Sequence, residues 1–297
     1  QPWSIGGKSG GPNDNRDLWY QAIRAVREAR PKGFLFETVP GFLRSRWDFA
    51  RADVLDKLNA LGYTVECLRV NTVDYQLAQS RKRCLVIGHR RPPFPWRHPK
   101  ESPADTQLTV RQALAHLGPP SDDSPIARHR PRTSARSYES HTPSSLDRPA
   151  KTITAGCHGP GGGCNTLERN DGSVRYFTVP ELATLQGFPA EYEFDPVWSH
   201  AVKEIGNACP PPLVEHWLRQ LMPAIRNCPP PADCPDDSTI EAVHPEEQTD
   251  SGANLAAKRK GADLGAGKSE EQTPPNATLV ARNELRRLRG LIPLIQQ

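Results

Sequence analysis

Glu37 stands near the end of a short apolar run, "GFLFETV" (33–39), where an acid can do proton chemistry. The run is bounded by Gly33 and Pro40 and reads as a strand buried on both faces. Open α/β sheets bind ligands beyond the carboxyl ends of their strands. A carboxyl held there, partly out of water, can hold a proton and deliver it to a ring nitrogen. Taken alone, the same residue reads better as a cap on a neighbouring loop. "QSRKR" (79–83) supplies the complementary charge. On an extended segment Arg81 and Arg83 point the same way, so two guanidinium forks face one site with Gln79 on their side. "RPAKTIT" (148–154) sets Arg148 and Pro149 before a short β-like run. In "EIGNACPPP" (204–212) a Gly-Asn turn precedes prolines at a helix start, leaving backbone N–H groups and the Asn207 amide open to a polar ligand.

The elements that must position these residues follow from periodicity. Residues 16–30 carry Leu18, Ala22, Ala25, Val26 and Ala29 at helical spacing, with Asn15 as N-cap and Pro31 as stop. Ser45 and Asp48 make a capping-box-like start to a second helix bearing Val54, Leu55, Leu58 and Leu61, which Gly62 ends. "YTVECLRV" (63–70) and "CLVIGHR" (84–90) read as strands. Helix, strand, helix, strand, strand is part of an α/β domain with a central sheet. Between Arg91 and Leu146 regularity breaks down, apart from a helix around 109–117. Thr178 and Glu181 form a capping box for a helix ended by Gly187, and 210–222 is a further helix with Val214, Trp217, Leu218, Leu221 and Met222 on one face. Beyond Ile225 the chain turns polar and poor in aromatics, as expected of a disordered tail.

Charge is unevenly distributed. Residues 79–151 hold 14 Lys/Arg against 6 Asp/Glu, while 228–297 hold 8 against 11. A basic block before an acidic segment suggests a polyanion-binding surface. No apolar run approaches the ~20 residues of a membrane span. The seven cysteines form no C-x-x-C pair, which suits reduced thiols in the cytoplasm better than a disulfide frame. "SIGGKSGG" (4–11) is no phosphate loop, which would need a glycine where Pro2 stands; its glycines suit a mobile loop instead. "CHGPGGGC" (157–164) has no second ligand pair, so no metal is expected.

In this order and at these distances, "ETVPG", "QSRKR", "RPAKTI", "LQGFPAEYEF" and "IGNACPPP" resemble the cytosine-C5 DNA methyltransferases, over about residues 1–226. The resemblance implies a partial Rossmann-like S-adenosyl-L-methionine-dependent fold. Residues 1–90 would be catalytic-domain core, 91–147 a small target-recognition segment, 148–226 the remaining catalytic motifs, and 227–297 the disordered tail. It implies methyl transfer to C5 of a flipped cytosine in double-stranded DNA by a monomer. Glu37 would protonate cytosine N3, Arg83 would hold O2, and Arg81 would line the same site. Gln1, Pro2, Trp3, Gly206 and Asn207 would lie on the cofactor side. Gln79, Arg128, Arg130, Arg132, Arg136 and Arg148 would contact DNA. The family's nucleophile is the Cys of a Pro-Cys pair directly before "QPWS"-like sequence, and Pro-Cys occurs nowhere in the 297 residues. The expectation is a fragment, inactive alone, whose complementing N-terminal half carries the cysteine and the Gly-rich cofactor loop. Non-catalytic DNA binding, or an RNA substrate, are the alternatives. Thr38 stands where the family usually has Asn, whose amide braces the cysteine loop.

Overall fold

A computed structural model describes residues 2–4, 10–90, 96–135, 142–156 and 165–226. The tail, Gln1, Arg136 and the Gly-rich stretches 5–9 and 157–164 lie outside the described residues.

Helix α1 (Trp19–Ala29) leads into strand β1 (Gly33–Thr38), and α2 (Asp48–Ala60) into β2 (Thr64–Asn71). Strand β3 (Lys82–His89) then inserts between them, antiparallel to both. β1 and β2 therefore run the same way, as a crossover through a helix requires. The central strand is the driest: Cys84, Leu85, Val86 and Ile87 are all fully buried. β1 lies at the sheet's edge, and most of its residues are only partly buried, unlike the doubly covered strand its sequence suggests. On one face Leu68, Val70, Leu85 and Ile87 pack against Leu213, Trp217 and Leu221 of the last helix, α6 (Pro211–Arg226).

α1 buries Trp19, Ile23 and Val26, while Leu18 is 69% exposed. Its N-terminus begins after Leu18 rather than Asn15, and Arg30 ends it in the left-handed region at φ 44°. Ser45 makes no side-chain cap either. It opens a 3-10 turn (Ser45–Trp47), and Asp48 pairs with Arg51.

A second core gathers the rest of the chain. Val110 and Leu114 of α3 (Val110–Leu114) pack with Ala150, Ile153, Leu167 and Phe177, and with Val179, Leu182 and Leu185 of α4 (Val179–Gln186). Ala201, Val202 and Ile205 of α5 (Trp198–Asn207) complete it, so packing is continuous across residue 147. A hairpin of β4 (Thr166–Glu168) and β5 (Val174–Tyr176) covers one side. The capping box at α4 forms as its sequence indicates, with Gly187 in the left-handed region at φ 81°. Beneath it Arg175 and Glu181 make a bidentate ion pair at 2.7 and 2.6 Å, 5% and 1% exposed. "RPAKTIT" forms no strand; Ala150 makes one isolated bridge to Gln79. Among the described residues no helix is long and apolar enough to cross a membrane, and no cluster of three metal-ligating side chains occurs.

Candidate active site

The register sets Glu37 opposite Leu85, two positions along β3 from Arg83. On pleated strands that places Glu37 and Arg83 diagonally on one face. Arg83 Nε approaches Glu37 Oε1 to 2.5 Å, with the side chains 12% and 18% exposed. Oε1 is nevertheless buried without a well-aligned hydrogen bond, so the two groups are held by charge and proximity. Arg83 spends one further N–H on Lys82 O, at 2.8 Å. An acid and a guanidinium side by side suit a planar ring that offers adjacent nitrogen and carbonyl acceptors.

Gln79 does not reach that surface, while Arg81 comes within 3.9 Å of Glu37 Oε1 but is itself buried. Arg81 precedes β3, is 2% exposed, and donates to Ile153 O (2.8 Å), Gly206 O (3.1 Å) and Ala208 O (3.1 Å). Burial, then the neighbouring Arg83, lowers its pKa to about 10, with Glu37 opposing from 3.9 Å. Gln79, expected at DNA, is fully buried. Its amide donates to Gln186 Oε1 (2.7 Å) and Leu185 O (3.2 Å) and accepts from Ile153 N (2.9 Å). Gln79 and Arg81 both reach Ile153, and Arg81 and Arg83 both face Glu37 Oε1. Gln79 and Arg81 bolt the second core to the sheet.

The cofactor-side expectations divide in the same way. Trp3 is 3% exposed, its Nε1 donates to Asp17 Oδ1 at 2.9 Å, and its ring meets Phe42 and Trp47 edge-on. Burial raises the pKa of Asp17. Pro2 is buried and its carbonyl accepts from Gly11 N. Trp3 O rests directly on Gly41, where any Cβ would collide with it, so the first residues dock just beyond Glu37. Gly206 is likewise a packing glycine, pressed against the Thr154–Ala155 backbone. Only Asn207, at the end of α5, is exposed. The proline-rich helix start offers no anion cradle, because Pro211 and Pro212 lack N–H groups and Leu213 and Val214 both donate to Pro210 O.

The arginines of the recognition segment also separate. Arg128 sits at φ 66°, half-buried, and donates to Phe194 O at 3.4 Å; burial lowers its pKa against Asp195 and Glu204. Arg130 and Arg148 are exposed. Arg132 is exposed too, its guanidinium 4.4 Å from the Trp198 ring centroid. Several supporting residues escaped the sequence reading. Asn165 holds Thr154 N and O and Gly156 O; Thr72 Oγ1 accepts from Arg81 N; His129 bridges Thr178 Oγ1 and Gly118 O. Each is a buried polar side chain whose partner lies in another segment, and neither periodicity nor composition marks such a residue.

Sequence comparison with known proteins points to one group. The C-5 cytosine-specific DNA methylase family model matches residues 1–120 and 127–222. The Type II methyltransferase M.NgoMIV of Neisseria gonorrhoeae is 28% identical over 244 residues, covering 76% of this chain and 75% of that protein. M.HaeII of Haemophilus aegyptius is 31% identical over 219 residues, covering 72% and 68%. The crystal structure of the S. pombe Dnmt2 methyltransferase aligns with TM-score 0.49 and 17% identity, over 75% of this chain and 76% of that one. With its family motifs in order along two continuous cores, the chain belongs to the C-5 cytosine-specific DNA methylases, whose methyl donor is S-adenosyl-L-methionine.

Proposed function

We propose that this chain carries the cytosine-binding half of a DNA (cytosine-5-)-methyltransferase reaction. The observation that supports it best is the Glu37–Arg83 pair, diagonal across β1 and β3 at 2.5 Å. Cytosine C5 is a poor nucleophile until a thiolate adds at C6, and that addition is easier when N3 carries a proton. Glu37 holds the proton at N3, and Arg83 turns from the carboxylate to donate to O2. Both act on a base extruded from the duplex, at a cost of a few kcal/mol. Arg81 touches no substrate atom in this account; it keeps Gly206 and Ile153 at fixed distance from the pair.

S-adenosyl-L-methionine, when bound, supplies the electrophilic methyl group. Of the residues expected beside it, Asn207 has an exposed amide that fits a polar contact, while Pro2, Trp3 and Gly206 are buried and fit as wall and spacer. The thiolate belongs to the family's Pro-Cys pair, which these 297 residues do not contain, so alone they transfer no methyl group. The test is transfer of labelled methyl groups to duplex DNA. The expected result is none from residues 1–297 alone, and C5-labelled cytosine once they are joined to a segment ending in Pro-Cys. Labelling by the unassisted chain would overturn the division of labour, and preferential labelling of tRNA would overturn the substrate.

A further inference from the structure

We propose, on the reading of the chain as a DNA methyltransferase, that Gln186 is a positioning residue: with Arg81 it clamps the turn that presents Asn207. The clamp closes on backbone carbonyls. Gln186 Nε2 donates to Ile205 O at 3.0 Å and to Ala208 O at 2.7 Å. Arg81 Nη2 donates to Gly206 O and to Ala208 O, both at 3.1 Å. Ile205, Gly206 and Ala208 are thus all gripped by their carbonyls. The remaining residue of that run is Asn207, which is exposed and whose side chain bonds to no described residue.

Gln186 is itself held in one orientation. Its Oε1 accepts from Gln79 Nε2 at 2.7 Å, and a flipped amide would set that oxygen against two carbonyl oxygens. Gln79 accepts from Ile153 N and Arg81 donates to Ile153 O, so one residue anchors both arms of the clamp. Gly206 closes the frame by contact: a Cβ there would stand 2.3 Å from Thr154 C and 2.4 Å from Ala155 N. Gln79 and Gln186 are fully buried and Arg81 is 2% exposed. A helix end can be satisfied locally, by water or by a glycine cap. The end of α5 takes its donors instead from residues 19 and 125 positions away in sequence. Arg81 also sets a cation at the negative end of the α5 dipole. Such long-range bonds do what a local cap cannot: they fix where the Asn207 turn lies relative to β3. Arg81 approaches Glu37 Oε1 to 3.9 Å, so the turn and the acid share one frame. Losing the Gln186 bonds loosens the turn while leaving Glu37 and Arg83 in contact.

Hydrogen exchange of the full 297-residue chain reads the turn itself. Gln186→Met keeps the length of the side chain and removes its bonds. It should speed exchange of Ala208 N–H, which donates to Glu204 O and Ile205 O, while the amides of β3 keep their protection. Equilibrium binding of S-adenosyl-L-methionine, by the chain joined to a segment ending in Pro-Cys, reads the consequence. Gln186→Met should weaken binding about tenfold, the worth of about one hydrogen bond. The single-turnover rate at saturating S-adenosyl-L-methionine should stay within a few-fold of wild type. In an Asn207→Ala background the same substitution should cost nothing further, because its effect passes through that amide. Gln186→Asn, which withdraws the donor by one methylene, carries the same comparison should Gln186→Met not fold. If wild type binds S-adenosyl-L-methionine and the Gln186 variants bind it equally well, or lose as much with Asn207→Ala as without, Gln186 is core alone and the methyltransferase reading stands. If the joined wild-type chain binds no S-adenosyl-L-methionine, both fall.

Discussion

Arg81 and Glu37 stand 3.9 Å apart, yet the arginine gives its hydrogen bonds to three backbone carbonyls, at Ile153, Gly206 and Ala208, and not to the carboxylate. Glu37 is left to Arg83 alone for its close contact. Two arginines separated by a single residue in sequence thus do separate work, one as frame and one as partner to the acid.

Arg81→Lys tests the frame. A single ammonium cannot span carbonyls from two segments, and an orphaned buried carbonyl costs about 1–3 kcal/mol. The variant should lose at least that much stability in urea unfolding. Arg83→Lys, at a partly open position, should lose less.

Glu181 offers a sharper stability test. It is 1% exposed, pairs with Arg175 through both oxygens, and accepts from Thr178 N at the α4 cap. Glu181→Ala strands a buried guanidinium, and breaking such a pair costs about 3–5 kcal/mol. Chemical denaturation should show a drop of that size. Thr109→Ala, which removes an exposed cap on α3, should cost only about 1 kcal/mol.

The pH dependence of the first residues follows from Asp17. Burial raises its folded pKa above the usual 3.8. Just above that value the native state binds more protons than the unfolded one, so stability falls as pH rises through this window and the penalty persists at neutral pH. Asp17→Asn keeps an acceptor for Trp3 Nε1 and removes the charge. Its Tm relative to wild type should therefore be more favourable at pH 7 than at pH 3. An equal difference at both would show that the carboxylate carries no such penalty.

Local signals made parts of this fold legible. Thr178, Glu181 and Gly187 mark both ends of α4 because caps are encoded within a turn of the residues they serve. Glu37 and Arg83 were legible as types, but their contact was not, since a diagonal pair depends on the register of β1 against β3. α1 misled because two apolar series overlap in it. Of Leu18, Ala22, Ala25, Val26 and Ala29, read from helical spacing, Val26 is buried, but Trp19 and Ile23 take the inner face with it because they bury more surface than the alanines. Gln79 misled for a long-range reason: its partners Ile153, Leu185 and Gln186 are seventy or more residues away.

Glu37 carries the central claim, and single-turnover methyl transfer measures it most directly. With the chain joined to a Pro-Cys-bearing segment, wild type and Glu37→Gln would be compared at saturating duplex DNA and S-adenosyl-L-methionine. Loss of a positioned acid typically costs ~10²–10⁴-fold in rate. The account predicts a fall of that order with DNA affinity unchanged. A Glu37→Gln enzyme that transfers methyl groups within a few-fold of wild type would contradict it.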